Sequence, residues 1–447
     1  MPGMRAVAPT GARHEVGEDE LFFSTTDAKG VIEQANSIFV RMSRFSREEL
    51  VGAPHNIVRH PSMPGGAFLL MWQTLQAGLP FCAYVDNLAA DGSTYGVFAT
   101  MTPLGDGYLS VRGRPFQDAL HDAVFQLYQQ VRPLELAARD RGVSAHEAAV
   151  LGLDKLAELL PQAGFPSYDE FIWTALPAEV EERLRRSAGT PRRPEASGPL
   201  AEMLAASGEI EDELRGWASR LDDLKAVADR LLEAAPRLRE TAEDNRVTAD
   251  RLLAEDTGAF ATAKIYLRVW TELAPEVSEG VDALVGELEE LRRSCARTRF
   301  RIALAVLHDL ALGQFVAEII DDVPGSDQAR PAIIDLCRAL EEGVEETAAQ
   351  AARNAELAGM AADRITQLGE VLGLPQLLIR EWLIKADRSD ESFDAIAEQM
   401  VARLDQTEAA IQILESLSVE CRRIAVPLDV GVVETQVERL RRLHAFV

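Results

Sequence analysis

The chain has 447 residues, 47% of them hydrophobic and 26% charged, with a formal net charge of −26. This composition describes a soluble globular chain long enough for roughly two to four domains. So acidic a surface repels nucleic-acid phosphates and anionic lipid, which excludes DNA, RNA and polybasic membrane partners. The acid is unevenly placed: residues 1–115 hold 9 Lys/Arg and 11 Asp/Glu, a net of −2, so about −24 lies in the remainder.

Four cysteines (Cys82, Cys295, Cys337, Cys421) stand far apart without metal or redox spacing and are expected to be reduced. Met1 to Asp19 lacks the apolar stretch of a secretory leader. The most apolar long window, Ile302 to Ile320, is interrupted by His308, Asp309, Gln314 and Glu318, so no membrane span is expected. The predicted location is cytoplasmic.

Residues 1–20 are polar with Pro and Gly and read as a flexible arm. Leu21 to Thr26 reads as a strand, Asp27-Ala28-Lys29-Gly30 as a tight turn, and Val31 to Ala35 as the returning strand. Asn36 is placed to cap a short helix, Ser37 to Ser43. Ser46 with Glu49 three residues on is a capping box. The stretch from Asn56 to Phe68 then puts two prolines, two glycines, an arginine and a histidine where regular structure cannot run, because each proline removes an amide donor and restricts its predecessor. Phe68, Met71, Trp72 and Leu75 follow on one helical face as far as Ala77. Phe81 to Leu88, Thr94 to Thr102 and Tyr108 to Arg112 are three strands joined by turns at Asp91-Gly92 and Asp106-Gly107. This order is an antiparallel sheet with short helices, class α+β.

Together these words resemble the PAS domain of bacterial aerotaxis receptors over residues 21–115. The matching residues are Thr25-Thr26-Asp27 with Gly30-Val31-Ile32, Ala35-Asn36 with Phe39-Val40, and Phe45-Ser46 with Glu48-Glu49-Leu50. They continue with Gly52, Pro54-His55-Asn56, Arg59-His60-Pro61, Met63-Pro64, Ala67-Phe68 and Met71-Trp72. The resemblance implies a PAS sensor domain holding FAD, with Arg59, His60 and Trp72 contributing to its pocket and Asn87 matching an Asn of the following strand. A guanidinium suits a pyrophosphate or a flavin carbonyl, and an indole supplies a flat apolar wall. The chain departs from that pattern at several points. Ser62 replaces an acidic residue, Phe81 a tryptophan, and Leu88-Ala89-Ala90 a basic polar run; Gly96 or Val97 stands in place of a second tryptophan. An empty or small-ligand pocket and haem held by a pocket histidine are the alternatives to flavin. For Trp72 the alternative is plain helix core, and for His60 a loop histidine bonded to backbone.

Beyond Asp118 the strand signal ends. Residues 116–188 read as a helical connector: a helix interrupted at Pro133, a break at Pro161 to Pro166, and a cap at Ser167 or Asp169. Residues 189–199 form a linker and 200–447 an acidic all-α output domain. Val323 to Gln328 interrupts the latter near its middle, and Pro236, Pro275, Pro375 and Pro427 argue for breaks or kinks. A helical hairpin that dimerises into a four-helix bundle and a compact bundle of four to six shorter helices both explain this pattern. The resemblance implies a diverged chemoreceptor-like module, with a homodimer and a chemotaxis kinase and coupling protein as partners, although the tip run of that family is not found. Adjacent acids such as Glu345-Glu346 read as a solvated helix face. No catalytic motif is present. The expected function is a non-enzymatic sensor that relays its PAS ligand or flavin state to the helices. The alternatives are a PAS adaptor that only binds partners and a phosphotransfer protein using His308.

Overall fold

The computed structural model describes residues 7–254, 263–385 and 391–446. Its sheet has five antiparallel strands, β1 (Leu21–Asp27), β2 (Ile32–Ala35), β3 (Phe81–Leu88), β4 (Thr94–Leu104) and β5 (Gly107–Gly113), in the spatial order β2-β1-β5-β4-β3. Asn36 caps α1 (Ser37–Ser43) by accepting the Phe39 amide. Ser46 and Glu49 close a capping box on α2 (Arg47–Leu50), and α3 (Gly65–Gln76) follows. All lie where the sequence places them, except that α3 starts three residues earlier than the Phe68 expected. Eight helices follow: α4 (Asp118–Asp140), α5 (Ala145–Leu159), α6 (Tyr168–Arg186), α7 (Pro199–Ala254), α8 (Ala263–Ile320), α9 (Ala332–Lys385), α10 (Glu391–Ile424) and α11 (Gly431–His444).

Six consecutive residues of β1, Leu21 to Thr26, are buried, so both faces of the sheet are covered. Alternate side chains serve opposite layers. Phe22 stacks on Phe39 of α1 at 5.6 Å, on the face that carries the short helices. Phe23 meets Phe315 of α8 edge-on at 5.0 Å on the other face. There α6 also packs: buried Glu179 accepts the Tyr84 hydroxyl at 2.7 Å and the amides of Phe116 and Gln117, and Tyr168 hydroxyl bonds both backbone groups of Cys82 at 3.0 Å.

Residues up to Ala218, 299–347 and from Asp429 onward form one compact unit, and Ser219–Thr298 with Ala348–Leu428 form a second. In the second unit four helical segments close into a bundle. Buried Asn245 of α7 donates to Thr407 of α10 at 3.0 Å, Arg239 of α7 pairs with Asp282 of α8, and Arg364 of α9 with Glu287 of α8. Arg380 of α9 reaches Asp405 and Glu408 of α10. A buried polar layer links α8 and α9: Asn354 accepts from Ser294 and donates to Thr298, while Gln350 donates to Ser294. One chain supplies all four helices, and they are long: α7, α8 and α9 run 56, 58 and 54 residues, where the compact alternative expected shorter ones.

Several expectations need correction. Residues 7–20 are not a loose arm: Arg13 pairs with Thr94 as a parallel bridge and with Asp86 through both guanidinium nitrogens, and Val16 is in the core. Residues 1–6 of that expected arm lie outside the described residues. Pro133 does not interrupt α4, and Pro236, Pro275 and Pro375 run within α7, α8 and α9. The first three are exposed, where the carbonyl each leaves unpaired meets water; Pro375 is buried and the helix still continues. The interruption expected at Val323 to Gln328 is present, and there the Gly325 carbonyl accepts from Arg47 of α2 at 3.0 Å. Finally, α8 does contain a window apolar and long enough to cross a membrane, and 94% of that window is buried within the fold, as in the core helix of a soluble protein.

Candidate functional site

The proline-rich stretch is built by local rules. Pro54 leads into a single 3-10 turn, His55–Val58, whose first amide donates to Gly30 carbonyl at 2.8 Å. Arg59 then forms an isolated antiparallel bridge with Asn87, which holds the segment against β3. Pro64 stands immediately before α3, where its missing N–H costs nothing. Gly65 and Gly66 open that helix because other atoms crowd it. A Cβ on Gly66 would lie 2.4 Å from the Leu153 amide of α5, and the two glycine amides donate to Glu135 of α4 at 2.7 and 2.8 Å. Glu135 is buried, paired with Arg132 at 3.0 Å, and sits at the positive end of α3.

Between this segment, α3 and the inner face of the sheet lies a cavity of about 210 Å³. Phe68, Met71 and Trp72 of α3 line one side, and Phe81, Ala83, Val85, Ala99 and Met101 of β3 and β4 the other. The three α3 side chains are only half-buried: Met71 and Trp72 pack against the cluster of Leu75, Phe81, Ala83 and Met101 and still leave apolar surface on the cavity. Trp72 is held edge-on to Tyr108 at 5.7 Å. Gly30 has φ +76°, and a Cβ there would lie 2.9 Å from the indole, so Gly30 both makes the turn and admits the ring. Polar groups are fewer: Thr26, His55, Asn56, Arg59, Asn87, Ser110, Arg112 and the Tyr128 phenol, with exposed Lys29 at the margin. An apolar enclosure with a small set of converging polar groups is the usual form of a small-molecule site.

Arg112 is the outlying member. It comes from the next-to-last position of β5, the central strand of the sheet, and is buried, yet among the described residues no carboxylate pairs with it. Its Nη2 donates to Ser24 Oγ at 3.1 Å and to His55 Nε2, its guanidinium lies over the Phe39 ring at 5.0 Å and the Phe22 ring at 5.7 Å, and its Nη1 has no partner. The cavity-lining Thr26 hydroxyl is likewise unpartnered. Burial pushes the Arg112 guanidinium down to about 10. Burial first, and then the Arg112 charge, hold His55 well below the ordinary histidine range, which keeps its Nε2 an acceptor.

Of the residues proposed from the sequence, Arg59, Trp72, Phe81 and Asn87 line the cavity. The Arg59 guanidinium lies 3.9 Å over the Phe68 ring, and burial, followed by the charge of Arg132, lowers its pKa. His60 and Ser62 are outside the lining. His60 Nδ1 lies 2.6 Å from Ser62 Oγ and accepts the Ser62 amide at 3.2 Å, so the serine found in place of an acid occupies the histidine in a turn of its own. The sequence reading missed Arg112, Thr26 and Ser110. The available signal was alternation: on β5, Tyr108, Ser110 and Arg112 share the face opposite Leu109 and Val111, so a central strand turns a cation inward.

Further contacts join this domain to α8 of the same unit. Glu318 of α8 accepts from Asn36 Nδ2 at 3.1 Å and from Ser37 Oγ at the start of α1, and Gln314 accepts the Leu21 amide at 2.8 Å. His308, six residues before Gln314, is fully enclosed, with Nε2 3.3 Å from Thr102 Oγ1. A phospho-accepting histidine must reach a kinase, so burial removes the phosphotransfer reading.

A five-stranded antiparallel sheet in this order, with short helices enclosing a ligand cavity on one face, defines the N-terminal domain as a PAS domain. It resembles that of aerotaxis receptors. The aerotaxis receptor of Escherichia coli (strain K12) is 40% identical over 119 residues, 26% of this chain and 23% of that receptor, so the chain spans about a quarter of the curated relative it matches. No protein-family model matches the chain. Among solved structures, a doubly substituted variant of Vivid is 16% identical with a TM-score of 0.20, covering 25% of this chain and 91% of that one. A single-site variant of the same fungal photoreceptor is 18% identical with a TM-score of 0.20, covering 25% and 86%.

Proposed function

We propose that this chain is a cytoplasmic, non-enzymatic sensory protein whose PAS cavity takes the ring of a flavin, FAD, and whose helices carry the output. The observation that carries this reading is the cavity itself: flat apolar walls at Trp72, Phe68 and Phe81, with Arg59, Asn87 and Arg112 as polar contacts. At about 210 Å³ it falls below the roughly 300–1,000 Å³ of pockets that enclose a whole drug-sized ligand. It therefore suits a ring system alone, leaving a dinucleotide's phosphates to the marginal cations Lys29 and Arg59. The donor set fits the group: the unpartnered Arg112 Nη1 and Thr26 Oγ1 match a ring edge rich in acceptors. A bound flavin supplies reversible redox chemistry; the chain binds, orients and shields it. Haem does not fit, because His55, the histidine of the lining among the described residues, has its Nε2 engaged by Arg112.

The relay in this reading runs from the Arg59–Phe68 segment through Glu135 into α4, and from α1 through Glu318 into α8. Carried over with the resemblance are a second copy of the chain and a chemotaxis kinase with its coupling protein. The bundle itself does not call for the second copy, since its four helices come from one chain. A visible spectrum of the purified full-length protein tests the cofactor: flavin bands near one per chain support the reading, a Soret band replaces it with haem, and a colourless protein that cannot be loaded with FAD leaves the adaptor. Pull-down with the kinase and coupling protein tests the output, and no binding to either removes the receptor part.

A further inference from the structure

Arg112 is placed as a residue that serves a ligand rather than the fold. A buried cation ordinarily has a carboxylate partner, because desolvating a charge without one is costly. The groups around Arg112 are Ser24, neutral His55, the Tyr95 hydroxyl and the rings of Phe22 and Phe39, none of them anionic. Its Nη1, which these neighbours leave unpartnered, belongs to a side chain that is 3% exposed and lines the cavity, and the unpartnered Thr26 hydroxyl lines the same space. Most of the remaining wall is apolar.

We infer that Arg112, with Thr26 of the neighbouring strand on the same cavity wall, is the polar anchor of this cavity and selects a flat aromatic ligand by an anionic or strongly hydrogen-bond-accepting edge. The inference rests on reading the cavity as a ligand site, and it deepens that reading by naming the chemistry the ligand must carry. The dione edge of a flavin and the carboxylate of a simple aromatic acid share this chemistry. Arg59, half-buried and stacked on Phe68, does not set the charge preference.

The test holds ligand shape constant and changes its charge. Benzoate and benzamide are titrated into the full-length chain, freed of any bound small molecule, and into its Arg112→Gln and Arg112→Lys variants. The wild type is expected to bind benzoate about tenfold or more tightly than benzamide. Arg112→Gln should lose that preference while keeping the benzamide affinity, which also reports that the variant is folded, and Arg112→Lys should retain the preference. Should Arg112→Gln fail to fold, nitrogen-15 spectra of the wild-type arginine side chains carry the test, with one slowly exchanging guanidinium signal shifting on addition of benzoate and not of benzamide. Equal affinities for the two probes, a preference that survives Arg112→Gln, no binding of either probe, or an unmoved guanidinium signal would overturn the inference. FAD, titrated separately and read by its absorbance, distinguishes the sources: a chain that refuses FAD but prefers benzoate loses the flavin and keeps the anchor.

Discussion

Replacing Glu135 by glutamine leaves one oxygen to do the work of two at the N-terminus of α3. In the native chain Oε2 accepts Gly65 N–H at 2.7 Å and Arg132 Nη1 at 3.0 Å, and Oε1 accepts Gly66 N–H at 2.8 Å. The amide keeps one of the two backbone bonds, now uncharged, and turns an NH₂ toward the other buried amide. Hydrogen bonds to a charged group contribute about 1.5–3 kcal/mol each, and charge at a helix N-terminus adds about 0.5 kcal/mol. The Arg132 side of the cluster is partly exposed and is given little weight. The expected cost is therefore about 2–3 kcal/mol, concentrated on the segment that borders the cavity. Hydrogen exchange read by mass spectrometry on peptides spanning residues 62–70 of the full-length chain measures it locally, without assuming two-state unfolding of a two-unit protein. Exchange should quicken by about 30- to 150-fold in Glu135→Gln, and not in Asp140→Asn, an exposed acid on the same helix. Rates within about threefold of wild type would refute the idea that Glu135 ties the cavity segment to α4.

Three other substitutions probe separate parts of the molecule. Gly30→Ala forces a side chain into a left-handed position and against the Trp72 indole, so unit-one stability should fall by at least about 1–2 kcal/mol and the tryptophan environment should change; an unaltered melting curve and near-UV spectrum would show that the ring moves freely. Burial drives His308 down to about 4 from its ordinary 6.5, so its neutral form contributes stability that is complete above about pH 6.5 and lost as pH falls towards 4. That window is worth on the order of 3 kcal/mol. His308→Gln should flatten the acid limb of a stability–pH curve, leaving the part due to His55, which has the same sign, and an acid limb identical to wild type would contradict the burial argument. Asn354→Ala removes the acceptor of the Ser294 hydroxyl and a donor to the Thr298 hydroxyl inside the bundle, leaving only Gln350 on Ser294 and the Ser294 carbonyl on Thr298, and should cost about 1–3 kcal/mol in urea unfolding of that unit; a change below about 0.5 kcal/mol would mean the polar layer is solvated.

Much of the site was legible because its signals are short-range. Arg59 and Trp72 follow from the family words and from helical spacing, and both face the cavity. Reading those words residue by residue also carried His60 and Ser62 inward, and the structure turns both away, since a histidine two residues before a serine finds a partner inside its own turn. Arg112 was within reach through strand alternation but was read only as the last residue of a strand. The prolines misled in the opposite sense: Pro133, Pro236 and Pro275 stand on exposed helix faces, where water meets the carbonyl each leaves unpaired, and the helices run on through them.

What the amino-acid order determines by itself is local: the Asn36 cap, the Ser46–Glu49 box, the Gly30 turn, the strand limits and the shift from a near-neutral α+β head to acidic helices. These depend on sterics and hydrogen bonds among residues a few positions apart, so they can be read along the chain. Only the tertiary structure decided which distant residues share a space. It brought Gly65 and Gly66 onto Glu135, seventy residues away, enclosed His308 against Thr102, set the central loop beside Arg47, and left Arg112 without a counter-ion at the wall of a cavity. Burial without a partner has no local signature, because it is a property of the neighbours the fold supplies and of those it withholds.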